Sequence, residues 1–222
     1  MKISAIIVAA GKGTRMGADK NKVFLELMGK TILEHTVDVF ENAPIIDEII
    51  IVTNDIEGAG DLFKDYKKVA KITEGGATRQ ESVKNGLMSA TGDIALIHDG
   101  ARALIMEKEI VASVEAAQKY GAAAVGVKSK DTLKKADKDG FIVKTVDREF
   151  IYNIQTPQVF KMAEIRKMHK LAEKNSFTDD CALAESFGTR IKIVEGSYDN
   201  IKITTPDDME IAEKILKSRS KV

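Results

Sequence analysis

Short apolar runs rich in β-branched residues alternate along this chain with stretches whose apolar residues recur every three or four positions. Nothing else in the sequence constrains the fold as strongly. Ile3–Ala9 reads as a buried strand, and Thr31–Phe40 as a helix with Ile32, Leu33, Thr36, Val37 and Phe40 near one face. Ile46–Thr53 predicts a second strand and Val69–Thr73 a shorter third. Arg79–Met88 predicts a helix with Val83, Leu87 and Met88 facing inward. Ile94–His98 is a strand ending at Asp99; Glu107–Tyr120 is a helix carrying Ile110, Val111, Val114 and Ala117; Ala122–Val127 is the strand after it. Such alternation predicts an α/β fold, a Rossmann-like, mostly parallel sheet with helices on both faces. Ligands in that architecture sit beyond the carboxyl ends of the strands, so the residues following each strand carry the functional reading.

The pattern breaks between Lys128 and Gln158. Asp131–Lys135 and Phe141–Val146 read as two short strands around an Asp139-Gly140 turn. This is either an ordinary edge hairpin or an arm that reaches a second subunit. Alternation resumes with helices near Ala163–Ala172 and Asp179–Phe187, a strand at Ile191–Glu195 and a last helix from Asp207 to Lys217. Thr205-Pro206-Asp207-Asp208 is a start signal for that helix, with a capping hydroxyl, proline at the first position and acids in the first turn. No repeat, linker or low-complexity tract divides the 222 residues, which fit one domain.

Charge decides which partners are expected. Thirty-four basic residues balance thirty-four acidic ones, so no basic field exists for a nucleic acid, and phosphate chemistry must rest on local cations. Cys181 stands alone, which excludes a disulfide framework and a thiolate metal site and fits a reducing cytoplasm. The apolar run after Met1-Lys2 is too short to span a membrane and poor as a signal peptide.

Five segments are candidates for chemistry. In the first, Val8-Ala9-Ala10-Gly11-Lys12-Gly13-Thr14-Arg15-Met16-Gly17, a strand hands over to a phosphate-cradling turn. Gly11 and Gly13 leave no Cβ between a ligand and the backbone N–H groups. The run is neither a P-loop nor the dinucleotide fingerprint, for it lacks the following Gly-Lys-Ser/Thr and the third glycine. Its distinguishing feature is a cation at Arg15 and another at Lys22, just before Val23-Phe24-Leu25. A charge pair at about 4 Å contributes roughly 4 kcal/mol at an effective dielectric near 20. Lys20 reads as a solvated surface charge.

The second is Gly75-Gly76-Ala77-Thr78-Arg79-Gln80-Glu81-Ser82, where paired glycines allow close approach to a flat base, Ser82 aims a hydroxyl the same way and Thr78 caps a helix. The third is His98-Asp99-Gly100-Ala101-Arg102, a carboxylate at a strand end suited to a metal ion or a substrate hydroxyl; His98 reads as a satisfied near-core residue. The fourth joins Thr145-Val146-Asp147-Arg148 with Gln155-Thr156-Pro157-Gln158. In the last, Asp199–Pro206, Lys202 is either a functional cation or a plain strand-edge lysine.

Jointly these segments, with Asp131-Thr132-Leu133-Lys134 and Thr178-Asp179-Asp180, run in one order over nearly the whole chain and resemble the 2-C-methyl-D-erythritol 4-phosphate cytidylyltransferase family. The resemblance implies a nucleotide-diphospho-sugar transferase fold and CMP transfer from CTP to methylerythritol 4-phosphate with Mg²⁺. It implies that Ala9, Ala10, Gly76, Ala77 and Ser82 surround cytosine and ribose. Arg15 and Lys22 would be the cations on the α-phosphate, and Lys202 a cation steering phosphates. Asp99, Arg102 and Thr178 would contact methylerythritol, with Asp99 also a candidate metal ligand. Thr145 would lie on an arm, about 129–156, that crosses into the neighbouring subunit of a homodimer. Three departures stand out. Asn21 precedes Lys22 where the family usually has proline, and Ala103 replaces another proline. Only Lys161 is available for the cation that follows Gln-Thr-Pro-Gln-x-Phe. The competing readings are a cytidylyltransferase for another polyol phosphate such as ribitol 5-phosphate, a nucleotide-sensing module without turnover, and a nicotinamide-dependent enzyme. The second would lose the cations at Arg15, Lys22 and Lys202, and the third lacks its fingerprint.

Overall fold

The computed structural model describes residues 1–11, 21–172 and 175–220. Seven strands form its central sheet: β1 (Ile3–Val8), β4 (Glu48–Thr53), β5 (Val69–Glu74), β6 (Ile94–Asp99), β7 (Ala122–Lys128), β10 (Tyr152–Lys161) and β11 (Lys192–Glu195). Their spatial order is β11-β7-β10-β6-β1-β4-β5. Pairing is parallel except around β10, which runs antiparallel to both β6 and β7. The alternation of strand and helix anticipated the parallel part. It did not anticipate β10, because Pro157 and the polar residues Asn153, Gln155, Thr156 and Gln158 interrupt its apolar pattern. The strand tolerates them through a register shift between Ile154 and Gln158, where a missing ladder N–H costs little.

Helices α1 (Ile32–Asn42), α2 (Ile56–Phe63) and α4 (Glu107–Tyr120) cover one face. They pack Leu33, Val37, Phe40, Phe63, Ile110 and Val114 against the odd-numbered β1 residues Ile3, Ala5 and Ile7. Helices α3 (Arg79–Ser89), α5 (Met162–Leu171) and α6 (Asp180–Ser186) cover the other, where Val83, Leu87, Ile165 and Leu183 meet Ile6, Ile50, Val52 and Ile97. Strand period two thus splits one apolar run between two cores. Helix α7 (Pro206–Arg219) packs outside, its Ala212 joining Leu27, Ile32, Leu104 and Ile203. The short pair β2 (Glu26–Leu27) and β3 (Lys30–Thr31) leads into α1. Capping boxes at Thr31/Glu34, Thr78/Glu81 and Thr205/Asp208 satisfy the first amides of α1, α3 and α7.

Two helical expectations change. Helix α2 has no counterpart in the sequence reading, its two glycines, Gly58 and Gly60, having weakened the pattern. Met88 is 67% exposed rather than inward. Helix α3 descends onto the sheet at Gly86, where a Cβ would lie 2.5 Å from Ile6 Cγ2 and 2.7 Å from Val52 Cγ2. That contact sets the buried face at Val83, Gly86 and Leu87 and turns Met88 outward.

The hairpin of β8 (Lys134–Ala136) and β9 (Ile142–Thr145) forms a separate two-stranded sheet, so it is not an edge of the main one. Ser129 N–H donates to Ile151 O at its neck. The chain re-enters the central sheet at Tyr152, so residues 152–156 of the expected arm belong to β10. Phe141, Ile142 and Val143 are 72%, 67% and 60% exposed on the hairpin. No helix among the described residues is long and apolar enough to cross a membrane.

Candidate active site

Where β1, β4, β5 and β6 end, the following loops enclose a cavity of about 440 Å³. Ala9, Ala10 and Gly11 enter it after β1, Asn54 after β4, Gly76–Arg79 after β5, and Asp99 and Ala101 after β6; Lys22, Ser82, Lys202 and Thr204 complete much of its wall. Nine residues singled out from the sequence therefore converge: Ala9, Ala10, Gly11, Lys22, Gly76, Ala77, Ser82, Asp99 and Lys202. Gly13 and Arg15 lie outside the described residues.

One side of the cavity is small and closely fitted. A Cβ on Gly75 would collide with Ala10 Cβ and stand 2.7 Å from Asn54 Oδ1, so only glycine lets this loop approach β1 so closely. Gly76 N–H donates to Ser82 Oγ at 3.0 Å, and Ser82 Oγ donates onward to Thr78 O at 2.9 Å. Ala77 N–H and Thr78 N–H are taken by Glu81 Oε2. Asn21 Nδ2 donates to Ala9 O and Asn54 Nδ2 to Ala10 O. The amides of Gly76 and Ala77 are thus committed to the cap of α3, while each carbonyl keeps a second lone pair. Neither asparagine was anticipated. Asn21 ties the turn bearing Lys22 to the end of β1.

The other side is charged. Asp99, 7% exposed, receives Arg79 Nε on Oδ1 at 3.2 Å and Lys202 Nζ on Oδ2 at 2.8 Å; Arg102 Nε stands 3.9 Å from Oδ2. Burial would raise its pKa, but Arg79, Lys202 and Arg102 outweigh burial and hold the carboxylate well below its usual range. Arg102 Nη1 donates to Asn200 O at 2.7 Å, and Lys22 Nζ to Ile203 O at 2.8 Å. Ile203 N–H in turn donates to Ala101 O. The segment carrying Lys202 is therefore laced to the loops bearing Asp99 and Lys22.

His98 is fully buried between Thr156 Oγ1, 3.0 Å from Nδ1, and Arg102 O, 3.2 Å from Nε2. Burial pushes its pKa down to about 4. Thr156 Oγ1 accepts Asp99 N–H as well, so neutral His98 is scaffold for Asp99, as its place within the strand implied.

The motif Gln155-Thr156-Pro157-Gln158 acquires a role the sequence left open. Gln155 Nε2 donates to Ser197 O. Gln158 Oε1 accepts the amides of Asp180 and Cys181, while its Nε2 donates to Asp179 Oδ2. Antiparallel β10 thereby fixes the loops on both sides of the charged wall.

Other candidates lie away from the cavity lining. Arg102 sits behind Asp99. Thr178 is exposed just before Asp179, the cap of α6. Thr145 is exposed on β9, where Lys134 Nζ donates to its hydroxyl. Lys161 pairs in register with Ile94, the first residue of β6, and contacts Glu164 at 3.7 Å. Asp99 is the last residue of that strand, roughly 16 Å away at strand rise, so Lys161 does not serve its own chain's cavity. Arg79 was missed, although the motif containing it was noticed; its carboxylate partners, Asp99 and Asp180, lie far along the chain.

Asp99 was also a candidate metal ligand. Three cations surround its carboxylate, which opposes a divalent ion there. Among the described residues no group of three or more His, Cys, Asp or Glu could hold one.

A family model described as IspD, 2-C-methyl-D-erythritol 4-phosphate cytidylyltransferase, matches residues 3–218. A protein of that name from Clostridium acetobutylicum is 47% identical over 224 residues, covering 97% of this chain and 98% of its own length. Another from Caldanaerobacter subterraneus subsp. tengcongensis is 46% identical, covering 98% and 100%. The crystal structure of 4-diphosphocytidyl-2C-methyl-D-erythritol synthase from Anaerococcus prevotii superposes with a TM-score of 0.87 at 36% identity, covering 97% and 98%. The enzyme from Thermus thermophilus gives 0.80 at 32% identity, covering 98% and 100%.

Proposed function

We propose a residue-level mechanism for a chain that belongs to the 2-C-methyl-D-erythritol 4-phosphate cytidylyltransferase family. The chain has the nucleotide-diphospho-sugar transferase fold. It is a nucleotidyltransferase that moves CMP from CTP to 2-C-methyl-D-erythritol 4-phosphate, releasing pyrophosphate, in the non-mevalonate route to isoprenoids. The observation carrying the mechanism is one cavity with a small, uncharged wall of Ala9, Ala10, Gly76 and Ala77 facing a wall of Asp99, Lys22 and Lys202.

In this reading the first wall receives the cytosine ring and ribose. The carbonyls of Ala9 and Ala10 accept from the exocyclic amine, and Ser82 keeps the Gly76 loop in register for the ring face. Asp99 accepts from acceptor hydroxyls, with Arg102 behind it and Thr178 at the rim. Lys202, 40% exposed at its side chain, steers the phosphates, and Lys22 with Arg15 stabilises charge on the α-phosphate. The acceptor's phosphate oxygen attacks the α-phosphorus in line as pyrophosphate departs. A phosphomonoester whose second pKa is about 6 is already largely dianionic at neutral pH, so the step needs no strong base. That suits a site whose histidine is buried and neutral. Positioning and preorganised cations supply the rate.

Nucleotidyltransferases of this kind are generally metal-dependent. The ion we assign is Mg²⁺, which would be held by the CTP phosphates and neutralise their charge, since Asp99, the one carboxylate among the described cavity-lining residues, is ringed by cations. We assign the exposed hairpin to a homodimer contact that brings Thr145 to the partner's site, with Lys161 also reserved for that site. Cytoplasmic operation suits the lone, buried Cys181. The test is pyrophosphate release by the purified protein with CTP, Mg²⁺ and each polyol phosphate in turn. Methylerythritol 4-phosphate should give the highest kcat/KM; a clear preference for ribitol 5-phosphate would overturn the acceptor assignment.

A further inference from the structure

Arg79 opens α3 directly after the Gly75–Thr78 loop, so its backbone belongs to the nucleotide side of the cavity. Its side chain reaches the opposite wall. Nε meets Asp99 Oδ1 at 3.2 Å, and Nη1 meets Asp180 Oδ2 at 2.8 Å. Asp180 is 2% exposed; its other oxygen, Oδ1, lies 3.0 Å from Nε2 of His169, itself 2% exposed. The Asp180 backbone is pinned as well, its amide donating to Gln158 Oε1 at 3.1 Å. A buried carboxylate held at both oxygens and at its own amide is a stiff anchor, because releasing any partner leaves a charge uncompensated. Asp180 and His169 do not line the cavity, so their influence on substrate passes through Arg79.

The anchor has a geometric consequence. While Asp180 shares the guanidinium, Arg79 touches Asp99 only through Nε, and Oδ2 is shared by Lys202 at 2.8 Å and Arg102 Nε at 3.9 Å. Without the Asp180 charge, Nη1 would be free to turn onto Asp99 and close the carboxylate as a fork pairs with its acceptor. A hydroxyl-bearing substrate would then compete with a bidentate ion pair for Asp99.

We propose that Arg79 is a positioning residue for the polyol phosphate acceptor, and that the buried Asp180–His169 pair holds it in the shared geometry that keeps Asp99 open to substrate hydroxyls. The proposal rests on the reading of Asp99 as an acceptor contact. Steady-state kinetics with CTP and methylerythritol 4-phosphate test both. Asp180→Asn should raise the acceptor KM about tenfold or more, the scale of one charge-assisted hydrogen bond, while the KM for CTP stays within about twofold. His169→Gln, which retains a donor toward Asp180, should remain near the parent, whereas His169→Leu should behave like Asp180→Asn. Asp99→Asn serves as the reference. If it raises the acceptor KM but Asp180→Asn does not, the positioning role is wrong and the Asp99 reading survives. If Asp99→Asn leaves the acceptor KM unchanged, both fall. A lowered kcat with both KM values unchanged, or an equal rise in both, would mean a merely structural role and would also overturn the proposal. Should the buried variants fail to fold, Arg79→Lys at a side chain 28% exposed keeps the charge but spans only one carboxylate. It should raise the acceptor KM selectively, and an unchanged value refutes the role.

Discussion

Lys22 and Lys202 are both lysines beside the same cavity, yet their surroundings separate them. Lys202 is bound to Asp99 at 2.8 Å and must exchange that partner for a phosphate if it is to steer one. Lys22 Nζ donates to the backbone oxygen of Ile203 at 2.8 Å, a bond that fixes where its charge stands at the cavity wall. Lys22→Ala should therefore lower kcat by roughly a hundred- to thousandfold, the usual cost of one preorganised charge-stabilising group, with the KM for CTP changed only a few fold. A weakened KM with unchanged kcat would assign Lys22 to ground-state binding instead. Arg79 teaches a different lesson. From its neighbours in sequence it is a cation at a helix start; its importance comes from Asp99 and Asp180, twenty and 101 positions away. No local pattern encodes such a meeting.

The strands and helices were more readable than their packing. Periodicity located the parallel strands and six of the helices, because burial on two faces makes strand runs continuously apolar and helix faces repeat at 3.6 residues. Strand β10 escaped because its polar residues serve neighbouring loops rather than solvent. A second junction of elements sets acid stability. Glu48, 4% exposed at the start of β4, accepts from Ser4 Oγ on β1, from Lys2 Nζ, and from the amides and hydroxyl of the Thr91–Gly92 turn. Burial would raise its pKa, but the hydrogen bonds from Ser4, Lys2 and Thr91 prevail and lower it to about 2, from 4.5. A depressed carboxylate pKa contributes stability that is fully present above pH 4.5 and is lost as pH falls toward 2. Glu48→Gln should cost about 2–3 kcal/mol at pH 7. In urea unfolding the gap from the parent should shrink steadily between pH 4.5 and 3. A gap independent of pH would show that the carboxylate's charge is not what binds β1 to β4.

Across the molecule, one chain supplies the wall proposed for the nucleotide, Asp99 and two lysines, but it leaves an apolar hairpin tip in solvent with Phe141 72% exposed. A short two-stranded hairpin is marginally stable alone, and its exposed apolar residues call for a covering surface. Replacing residues 134–145 with a short Gly-Ser linker should yield a monomer by light scattering and should sharply reduce turnover, while thermal unfolding of the central sheet changes little. A dimeric product, or a fully active monomer, would remove the hairpin from both assignments. Local pattern was sufficient for the α/β class, the glycine turns and the joint order of motifs, because strand burial, helix periodicity and tight turns depend on residues close along the chain. The insertion of β10, the three cations around Asp99 and the Asp180–His169 anchor required the folded chain. Each is a contact between segments far apart in sequence, where charge, burial and register are properties of the assembled surfaces.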